Sequence, residues 1–445
     1  AIGGTGSKRS LIESKLNSNP SQFLTSSKRI IMAWNFEPPQ ASSLQDREVL
    51  KHGNHLEGKR IGLMITGSIA AYRCPDLVRD LRREGAEVQV YATREGLRYV
   101  SKDALEWCSL NPVIDHFSPD AEHLFDQKPL DAFLVAPASY SVINKTAMGM
   151  ADSVVTSTLA SALGRCEREG TPVLIAPAMH GSMHNSLLKE NLKRLDDMGV
   201  VIIPPRQSHG KNNLASAEII VAEVIRSLTQ SPLKGCRMLV TGGPTPVPLD
   251  RIRRITTKFS GGLSIEISRE AWFRGAEVKL ILGRGSLQPP SYLDTLEIAD
   301  FHQYRKSLLD TIEEHQAEWG IFTAAVADYE PEEVYEGKWQ SLDQEKILKL
   351  VPTSKVIQEV KERFPQLNQV PFKYEEGVDH EELMEIARER MESGSHRLLV
   401  ANRGNEFLDS GEQVAWILTS GSNPEKVTGK KQIASALLDR IESLV

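Results

Sequence analysis

The chain has few cysteines and no long hydrophobic run, and both absences narrow the class of protein. Only four cysteines occur in 445 residues, and no two of them have CxxC spacing. Neither a zinc site nor a disulfide scaffold is therefore predicted, and a reducing, cytoplasmic environment is expected. No apolar segment approaches the length of a membrane span, and no signal-peptide core occurs near the first residues. The sequence thus predicts a protein without a membrane partner.

Charge of one sign is not in excess either. The 53 Lys and Arg residues nearly balance the 59 Asp and Glu residues, which leaves a net charge of −6. This balance argues against a nucleic-acid partner but is compatible with a local basic pocket for phosphates. The apolar fraction of 40% is typical of globular proteins, and the length suits two α/β domains.

The pattern of the sequence changes twice along the chain. The first stretch is rich in Ser, Asn, Lys and Arg and lacks an apolar period, which predicts a flexible extension, with a transit peptide as the alternative. From Lys59, β-branched runs alternate with segments of helical period, as in βαβ units, and Ser231-Pro232 interrupts this alternation once. We predict an extension followed by two doubly wound, Rossmann-like α/β domains with mainly parallel sheets: residues 1–56, 57–230 and 234–445.

Short apolar runs mark the predicted strands, and several are apolar throughout, as expected for strands covered by helices on both faces. The predicted strands of the first domain are Arg60–Thr66, Glu87–Thr93, Ala132–Ala136, Pro172–Ala176 and Val200–Ile203. Those of the second domain are Arg237–Thr241, Glu277–Leu282, Trp319–Ala325, Val370–Tyr374, Arg397–Ala401 and Gln413–Thr419.

Small polar residues follow three predicted strands of the first domain. These segments are Gly67-Ser68-Ile69-Ala70-Ala71-Tyr72, Pro137-Ala138-Ser139 and Pro177-Ala178-Met179-His180. Backbone N–H groups in such turns can bind a phosphate, and parallel sheets bind ligands at the carboxyl ends of their strands. Any tight turn between strand and helix favours Gly and Ser, so the first turn alone leaves phosphate binding open. It lacks the GxGxxG fingerprint, which favours a mononucleotide such as a flavin over a dinucleotide.

These motifs, with Glu122-His123 and the segment from Asn144 to Asp152, resemble the homo-oligomeric flavin-containing cysteine decarboxylases over about Lys59 to Leu228. The resemblance implies a flavodoxin-like fold that binds FMN, commonly at a trimer interface. It also implies that His123 is catalytic, whereas a histidine after Glu is otherwise interpreted as an exposed loop residue. The cofactor-binding residues that the resemblance implies are Gly67, Ser68, Ile69, Thr93, Ser139, Asn144, Asp152 and Met179.

The chain departs from the bacterial pattern of this family at two places. His180 replaces an Asn that binds the substrate carboxylate, and the clamp segment from Ser208 to Leu214 has no Cys proton donor. Both features resemble the archaeal branch. Decarboxylation needs an electron sink, which the flavin supplies by oxidising the neighbouring thiol. We expect His180 to be a further catalytic residue and Lys211 to bind the substrate carboxylate or phosphate; loss of decarboxylase activity is the alternative.

The second domain has a glycine-rich turn and a basic segment after its first predicted strand. The turn is Thr241-Gly242-Gly243-Pro244-Thr245-Pro246, and Asp250, Arg253 and Arg254 follow it. Glycine-rich turns with Arg and Lys suit a phosphorylated substrate or a nucleotide. Arginine clusters are more often solvated faces, so this segment alone leaves phosphate binding open.

A more specific motif lies at Phe322-Thr323-Ala324-Ala325-Val326-Ala327-Asp328-Tyr329, with Lys338 ten residues after Asp328. It resembles the AAVADY motif and the following lysine motif of phosphopantothenoylcysteine synthetases, although Trp339 replaces the Ile of the second. Segments around Phe372 and Asn402 match further family motifs. The resemblance implies that CTP activates the carboxylate of 4′-phosphopantothenate to an acyl-cytidylate, which the amine of cysteine then attacks. Mg²⁺ is expected to accompany the nucleotide, because no carboxylate cage for a metal is visible.

The synthetase resemblance also implies roles for single residues. Lys338 neutralises charge on the phosphates during the reaction and is the catalytic lysine. The implied nucleotide-binding residues are Phe322, Thr323, Ala324, Asp328, Lys338, Thr353, Ser354, Lys355, Val356, Phe372 and Arg390. The implied substrate-binding residues of this domain are Thr257 and Ala325. Thr257 replaces a family Asn, and Gly262 and Gly394 replace basic residues, so an altered rate or nucleotide preference is expected.

Together the two halves resemble the bifunctional coenzyme A biosynthesis family. The leading prediction is a homo-oligomer that makes 4′-phosphopantothenoylcysteine and decarboxylates it to 4′-phosphopantetheine. Family precedent suggests trimeric flavin domains and dimeric ligase domains that combine into a dodecamer. The alternatives are a ligase whose first domain only binds FMN and oligomerises, and a nucleotide-binding regulatory protein. An NAD-linked oxidoreductase is disfavoured, since neither domain has the dinucleotide fingerprint.

Overall fold

The computed structural model describes residues 38, 40–124, 128–285, 287–340, 345–404, 406 and 412–445. The chain divides into two compact units, residues 1–48 and 49–445. Most of the predicted N-terminal extension lies outside the described residues. All helices and strands given below belong to the second unit.

The first half of the second unit contains a five-stranded sheet. Its strand order is β2-β1-β3-β4-β6, and all four pairings are parallel. This is the flavodoxin-like order of a doubly wound sheet, which confirms the predicted fold class. The elements are β1 Arg60–Ile65, α1 Cys74–Arg83, β2 Glu87–Ala92, α2 Lys102–Ser109, β3 Ala132–Ala138, α3 Tyr140–Ala147, α4 Val154–Glu169, β4 Val173–Pro177, β5 Met179–His180, α5 Ser186–Asp197, β6 Val201–Ile202, β7 Arg206–Ser208, β8 Lys211–Asn213 and α6 Ala217–Leu228.

The second half contains an eight-stranded sheet of order β13-β12-β9-β14-β17-β18-β19-β20. The strands from β13 to β18 pair in parallel, and β19 and β20 are added antiparallel. The elements are β9 Arg237–Gly242, β10 Val247–Pro248, β11 Arg254–Ile255, α7 Gly262–Phe273, β12 Glu277–Gly283, β13 Asp294–Ile298, α8 Phe301–His315, β14 Trp319–Phe322, β15 Tyr329–Pro331, β16 Leu350–Pro352, α9 Val356–Arg363, β17 Asn368–Glu375, α10 His380–Gly394, β18 Leu398–Arg403, β19 Val414–Thr419, β20 Glu425–Thr428 and α11 Lys430–Glu442.

The central strands are apolar throughout because helices cover both of their faces. Every residue of β3 is buried, as is every residue of β1 after Arg60. Alternate side chains of β1 belong to two different core clusters, with Leu63 on one side of the sheet and Met64 on the other. Full burial of each such side chain contributes roughly 1.5–3 kcal/mol. The covered faces leave the strand ends as the places where polar groups reach solvent.

The second sheet departs from the prediction at three strands. The strand predicted as Trp319–Ala325 ends at Phe322, because the following residues bond to the glycine-rich turn after β9 instead of extending the ladder. The strands β13 and β20 were not predicted. They are the two edge strands of the sheet, β13 mostly exposed and β20 mostly half-buried, so they lack the apolar runs that identify central strands.

Arg226, on α6, joins the two halves of the unit. Its guanidinium donates hydrogen bonds to the carbonyl oxygens of Trp272 (2.6 Å) and Ala276 (2.9 Å). The guanidinium carbon lies 4.8 Å from the centre of the Trp272 ring, and that ring contacts Tyr292 at 4.5 Å. Burial lowers the pKa of Arg226, but the guanidinium stays charged because its ordinary pKa is so high.

His55 forms a second bridge between the halves. Its Nδ1 lies 3.0 Å from a carboxylate oxygen of Glu84, at the end of α1, and its Nε2 lies 3.0 Å from one of Glu270, on α7. Burial opposes the charged imidazolium, but the hydrogen bonds to Glu270 and Glu84 outweigh it and raise the pKa of His55 to about 9. Arg274 extends the network to Asp439 at 2.7 Å. We call the contacts of Arg226 and His55 the junction.

The His55 bridge predicts a pH-dependent stability. Its contribution is fully present below the unfolded-state pKa of about 6.5 and is lost as the pH rises through the folded pKa of about 9. We expect His55→Gln to lower the Tm by a few degrees at pH 6.5, and this difference to shrink toward pH 10. Thermal unfolding of both proteins across this range measures the effect. His116→Gln, which removes an exposed histidine, serves as the control. A difference that does not change with pH would contradict the assignment.

Candidate active sites

The carboxyl ends of β1, β3 and β4 meet through hydrogen bonds of two side chains. The hydroxyl of Thr66 donates to the carbonyl of Pro137 (2.6 Å) and accepts from the N–H of Ser139 (2.9 Å). The hydroxyl of Ser68 donates to the carbonyl of Ala178 (3.3 Å). The three predicted strand-end motifs therefore lie side by side. We call this edge of the first sheet the flavin bed.

The turn after β1 is held by local contacts. Ser68 caps the short helix Ile69–Arg73 by accepting a hydrogen bond from the N–H of Ala70. A Cβ atom at Gly67 would lie 2.8 Å from Cβ of Glu95, so a larger residue displaces its neighbour. Thr93 follows β2, and its N–H donates to the carbonyl of Ile65 (2.9 Å). Four of the predicted cofactor residues, Gly67, Ser68, Ile69 and Thr93, thus lie around one turn.

The other predicted cofactor residues lie on neighbouring elements. Ser139 caps α3, and Met179 is half-buried in β5. The side chain of Asn144 is used between helices, since its Oδ1 accepts a hydrogen bond from Asn191 on α5 (2.7 Å). Asp152 precedes α4 and pairs with Lys145 at 2.6 Å, which holds the pKa of this carboxyl low.

His123 follows a loop that is fixed from two sides. The hydroxyl of Tyr91 donates to the carbonyl of Glu122 (3.4 Å), and the Glu122 carboxylate accepts the N–H of Ser118 (3.0 Å). The His123 ring lies 4.4 Å from the ring of Phe117, and its Nδ1 is buried without a partner among the described residues. A buried imidazole nitrogen without a partner is costly, so it suits a place where a bound group completes the hydrogen bond. The unpartnered nitrogen of His123 and the small polar turns of the flavin bed are therefore both compatible with the implied cofactor and its substrate.

His180 and Lys211 are direct neighbours in a small sheet. The strands β5, β8 and β7 pair antiparallel, with His180 opposite Lys211 and Met179 opposite Asn212. The N–H of Gly181 also donates to the carbonyl of Gly210 (3.1 Å). The structure therefore brings together the two residues that replace the bacterial substrate-binding pattern. No sequence pattern indicated this pairing, because each strand has only two or three residues.

A cavity of about 180 Å³ lies at the carboxyl ends of β9, β14 and β17. Four of the predicted nucleotide or substrate residues line it: Thr323, Ala324, Ala325 and Phe372. Phe322 is buried in β14 directly before them. The lining also includes Phe259 and Lys430, which were not predicted. Lys430 is the first residue of the last helix and is distant in sequence from every motif, so no local pattern identified it.

The glycine-rich turn after β9 carries the segment that follows β14. The hydroxyl of Thr323 donates to the carbonyl of Thr241 (2.7 Å), and the N–H of Ala325 donates to that of Gly243 (2.9 Å). A Cβ atom at Gly242 would collide with the side chain of Ser264. Gly242 is therefore required for the close approach of α7 to this turn.

A second group of predicted nucleotide residues lies at the β15–β16 arm. Lys355 pairs with Asp328 at 2.9 Å, and the N–H of Thr353 donates to the carbonyl of Asp328 (2.9 Å). Ser354 follows directly, and Val356 is buried at the start of α9. The side chains of the Asp328–Lys355 pair are both exposed, so the pair is accessible to a ligand.

Three further predicted residues lie outside the lining of the cavity. The side chain of Lys338 has no hydrogen bond or ion pair to any residue that the structure describes. Thr257 lies between β11 and α7. Arg390 lies near the end of α10, where burial and then the charge of Arg390 lower the pKa of His396 to about 4. The structure does not bring Arg390 to the cavity, and its role stays a prediction.

The described part of the chain offers neither a metal cage nor a membrane span. No group of three or more His, Cys, Asp or Glu side chains among these residues could hold a metal ion. No helix among them has both the length and the apolar character needed to cross a membrane.

Comparison with known proteins identifies the family. Residues 49–229 match the model of the family named Flavoprotein, and residues 233–444 match the DNA/pantothenate metabolism flavoprotein C-terminal domain. The coenzyme A biosynthesis bifunctional protein CoaBC of Thermococcus kodakarensis is 35% identical over 88% of this chain and 96% of its own length. The chain belongs to the family of coenzyme A biosynthesis bifunctional proteins.

One further relative and one solved structure are also similar to the chain. The CoaBC protein of Methanocaldococcus jannaschii is 30% identical over 88% of this chain and 95% of its own. The crystal structure of the DNA/pantothenate metabolism flavoprotein from Streptococcus pneumoniae covers 47% of this chain and 100% of its own, at 25% identity and a TM-score of 0.43. The chain is thus an enzyme of coenzyme A biosynthesis with a decarboxylase and a phosphopantothenate–cysteine ligase activity. The flavoprotein model supports the predicted FMN cofactor.

The pairing of His180 with Lys211 predicts a sensitive glycine. A Cβ atom at Gly181 would collide with the carbonyl oxygen of Gly210, so Gly181→Ala separates the two strands. We expect decarboxylation of phosphopantothenoylcysteine to fall at least about tenfold while the flavin spectrum is retained. Gly164→Ala is the control, since its Cβ meets only the flexible end of Arg168. Full decarboxylase activity in Gly181→Ala would show that this pairing is not needed.

Proposed function

We propose that this chain ligates 4′-phosphopantothenate to cysteine with CTP, through an acyl-cytidylate, and then decarboxylates the product to 4′-phosphopantetheine with FMN. Residues 57–230 carry the decarboxylase, residues 234–445 carry the ligase, and residues 1–56 precede them, with His55 near their end contacting both halves. The observation that carries the proposal is the clustering of predicted residues at the carboxyl ends of both parallel sheets. These are the places where doubly wound sheets bind their ligands.

In the first half, the flavin bed holds FMN. Backbone N–H groups of the Gly67-Ser68-Ile69 turn and the Ser68 hydroxyl bind its phosphate, and Thr93, Ser139 and Met179 lie beside them. When bound, FMN supplies the acceptor for the electrons of the substrate thiol, which makes loss of the carboxylate possible. Asn144 and Asp152 belong to the same set, although their side chains also have partners in the chain.

The protein's own groups bind the substrate and move its protons. The orphan Nδ1 of His123 lies in a buried place suited to accept or donate a proton. Lys211 attracts the substrate carboxylate or phosphate, and His180 next to it hydrogen-bonds the same end. His180 is also the proposed acid in place of the missing clamp Cys. Its Nδ1 lies 2.8 Å from the hydroxyl of Ser182, which holds the ring in one orientation.

In the second half, the cavity lined by Thr323, Ala324 and Phe372 supports a cytidine site. Its small side chains leave room for a planar base against the Phe372 ring. Asp328 would contact the nucleotide or its Mg²⁺-bound phosphates, and Lys355 would contact the triphosphate; in the structure the two side chains form an exposed ion pair. Lys338 stabilises the charge that develops on the phosphates and the acyl phosphate. Thr257 and Ala325 contact the phosphopantothenate.

The proposed enzyme is a homo-oligomer, with trimeric flavin domains and dimeric ligase domains. Large apolar side chains are exposed beside the flavin bed, among them Ile69 (66%) and Tyr72 (64%). On the β15–β16 arm of the ligase half, Tyr329 is 57% exposed. Apolar patches next to a site are common at interfaces between subunits.

In a second candidate function, the chain has ligase activity but no decarboxylase activity. The clamp residues from Lys211 to Asn213 carry no thiol, so the acid of the bacterial pattern is missing. In this case the first half binds FMN and joins subunits without chemistry.

One assay separates the two candidates. Purified protein is mixed with 4′-phosphopantothenate, cysteine, CTP and Mg²⁺, its visible spectrum is recorded beforehand, and products are identified by mass. The proposal predicts a flavin spectrum and formation of 4′-phosphopantetheine and CO₂. A reaction that stops at phosphopantothenoylcysteine despite bound flavin would leave the ligase alone. No product of either kind would refute both candidates.

Single substitutions then assign the halves. We expect Lys338→Gln to reduce ligation about a hundredfold, because one preorganised charge is lost, while decarboxylation of supplied phosphopantothenoylcysteine stays normal. We expect His123→Gln to reduce decarboxylation and to leave ligation normal. Lys349→Gln is the matched control for Lys338, since Lys349 is an exposed lysine of the same arm that pairs with Glu332 (2.6 Å). Equal ligation rates in the Lys338 and Lys349 variants would remove Lys338 from the mechanism.

A further inference from the structure

Asp250 has a buried carboxylate that holds two distant segments together. It follows β10, and its side chain is 0% exposed. One oxygen accepts the N–H groups of Ile252 (2.8 Å) and Arg253 (2.6 Å), which closes a tight turn of the Asx type. The other oxygen accepts the N–H of Trp339 (3.1 Å), 89 residues further along the chain. We call residues 249–254 the Asp250 turn.

The Asp250 turn binds the backbone on both sides of Lys338. The N–H of Arg251 donates to the carbonyl of Gly337 (3.0 Å), the residue before Lys338. The guanidinium of Arg253 donates to the carbonyl of Trp339 (2.5 Å), the residue after it. The Lys338 side chain makes no such bond within the described residues. Its main chain is therefore fixed while its ammonium stays available to a ligand.

The same turn also leads to the other side of the ligase site. Its chain continues directly into β11, whose residues Arg254 and Ile255 pair with β10, and then to Thr257. The turn thus connects one segment with a proposed substrate contact to another with the proposed catalytic lysine. A shift of the turn would therefore change the positions of both Thr257 and Lys338.

Asp250 is ionised in this environment. Burial favours the neutral acid, but hydrogen bonds from the backbone of Arg253, Ile252 and Trp339 lower the pKa of the carboxyl below its ordinary value. An ionised carboxylate accepts three N–H groups, whereas a protonated acid or an amide turns one of its atoms into a donor. If Asn replaced Asp250, its amide would place an N–H donor opposite at least one of these backbone N–H donors.

We propose that Asp250 is a positioning residue for the ligase reaction, which holds Lys338 at the reacting phosphates through the backbone of Trp339. This inference rests on the proposed role of Lys338 in ligation. Asp250 touches no reactant in this arrangement. Its effect is on the geometry of the lysine and hence on the chemical step, more than on the binding of substrates.

The test is a double-mutant cycle on the full chain with Asp250→Asn, Lys338→Gln and both together. We expect Asp250→Asn to lower kcat of ligation about ten- to a hundredfold, as a misplacement of about 1 Å does, with KM for CTP nearly unchanged. Decarboxylation of supplied phosphopantothenoylcysteine and the flavin spectrum report that the first half has folded, and the unchanged KM for CTP reports that the ligase half has folded. The double variant should be no slower than Lys338→Gln alone, since Asp250 acts through the lysine.

The test has one control variant, and three results would contradict the proposal. Asp300→Ala removes a helix-capping carboxylate of α8 in the same half and should leave kcat of ligation near that of the wild type. Unchanged kcat in Asp250→Asn, or multiplicative losses in the double variant, would overturn the positioning role alone. Full ligation by Lys338→Gln would overturn the proposed role of Lys338 and the positioning role with it.

Discussion

The parallel pairing of buried strands is the constraint on which both halves of this protein depend. A parallel sheet needs helices on both faces, so its strands carry mainly apolar side chains and supply few polar groups for catalysis. The polar groups of the candidate sites lie mainly where a strand ends and the next helix begins. Thr66 shows the consequence, because its buried hydroxyl joins the ends of two strands at once. A similar arrangement recurs after β14, where the hydroxyl of Thr323 donates to the carbonyl of Thr241 in the neighbouring strand β9.

The fold and much of the candidate sites were predictable from the sequence because both depend on local patterns. Continuous apolar runs identified the central strands, and small residues after them identified the turns. Resemblance to the motifs of two families singled out His123, Thr323 and Lys338, and the roles of these residues stay predictions. The assignment to coenzyme A biosynthesis is confirmed by relatives that match over most of the chain.

The features that sequence reasoning missed depend on contacts between distant segments. The pairing of His180 with Lys211 rests on backbone bonds between two very short strands. Lys430 reaches the cavity only because the last helix packs beside α7. Asp250 resembles an ordinary acidic turn residue until Trp339 is found at its second oxygen. In each case the partner lies tens of residues away, and no local period or spacing records it.

The junction has a consequence for how this protein can be divided. Arg226 and Trp272 come from different halves, so cutting the chain between them leaves an indole ring in water on one piece and a half-buried arginine on the other. His55 belongs to the segment before β1, and it bridges carboxylates of both halves. A separately expressed ligase half would therefore expose the Trp272 ring, and Glu270 would keep Arg274 as a partner but lose His55. Each half thus shields part of the other half from solvent, which favours keeping both in one polypeptide.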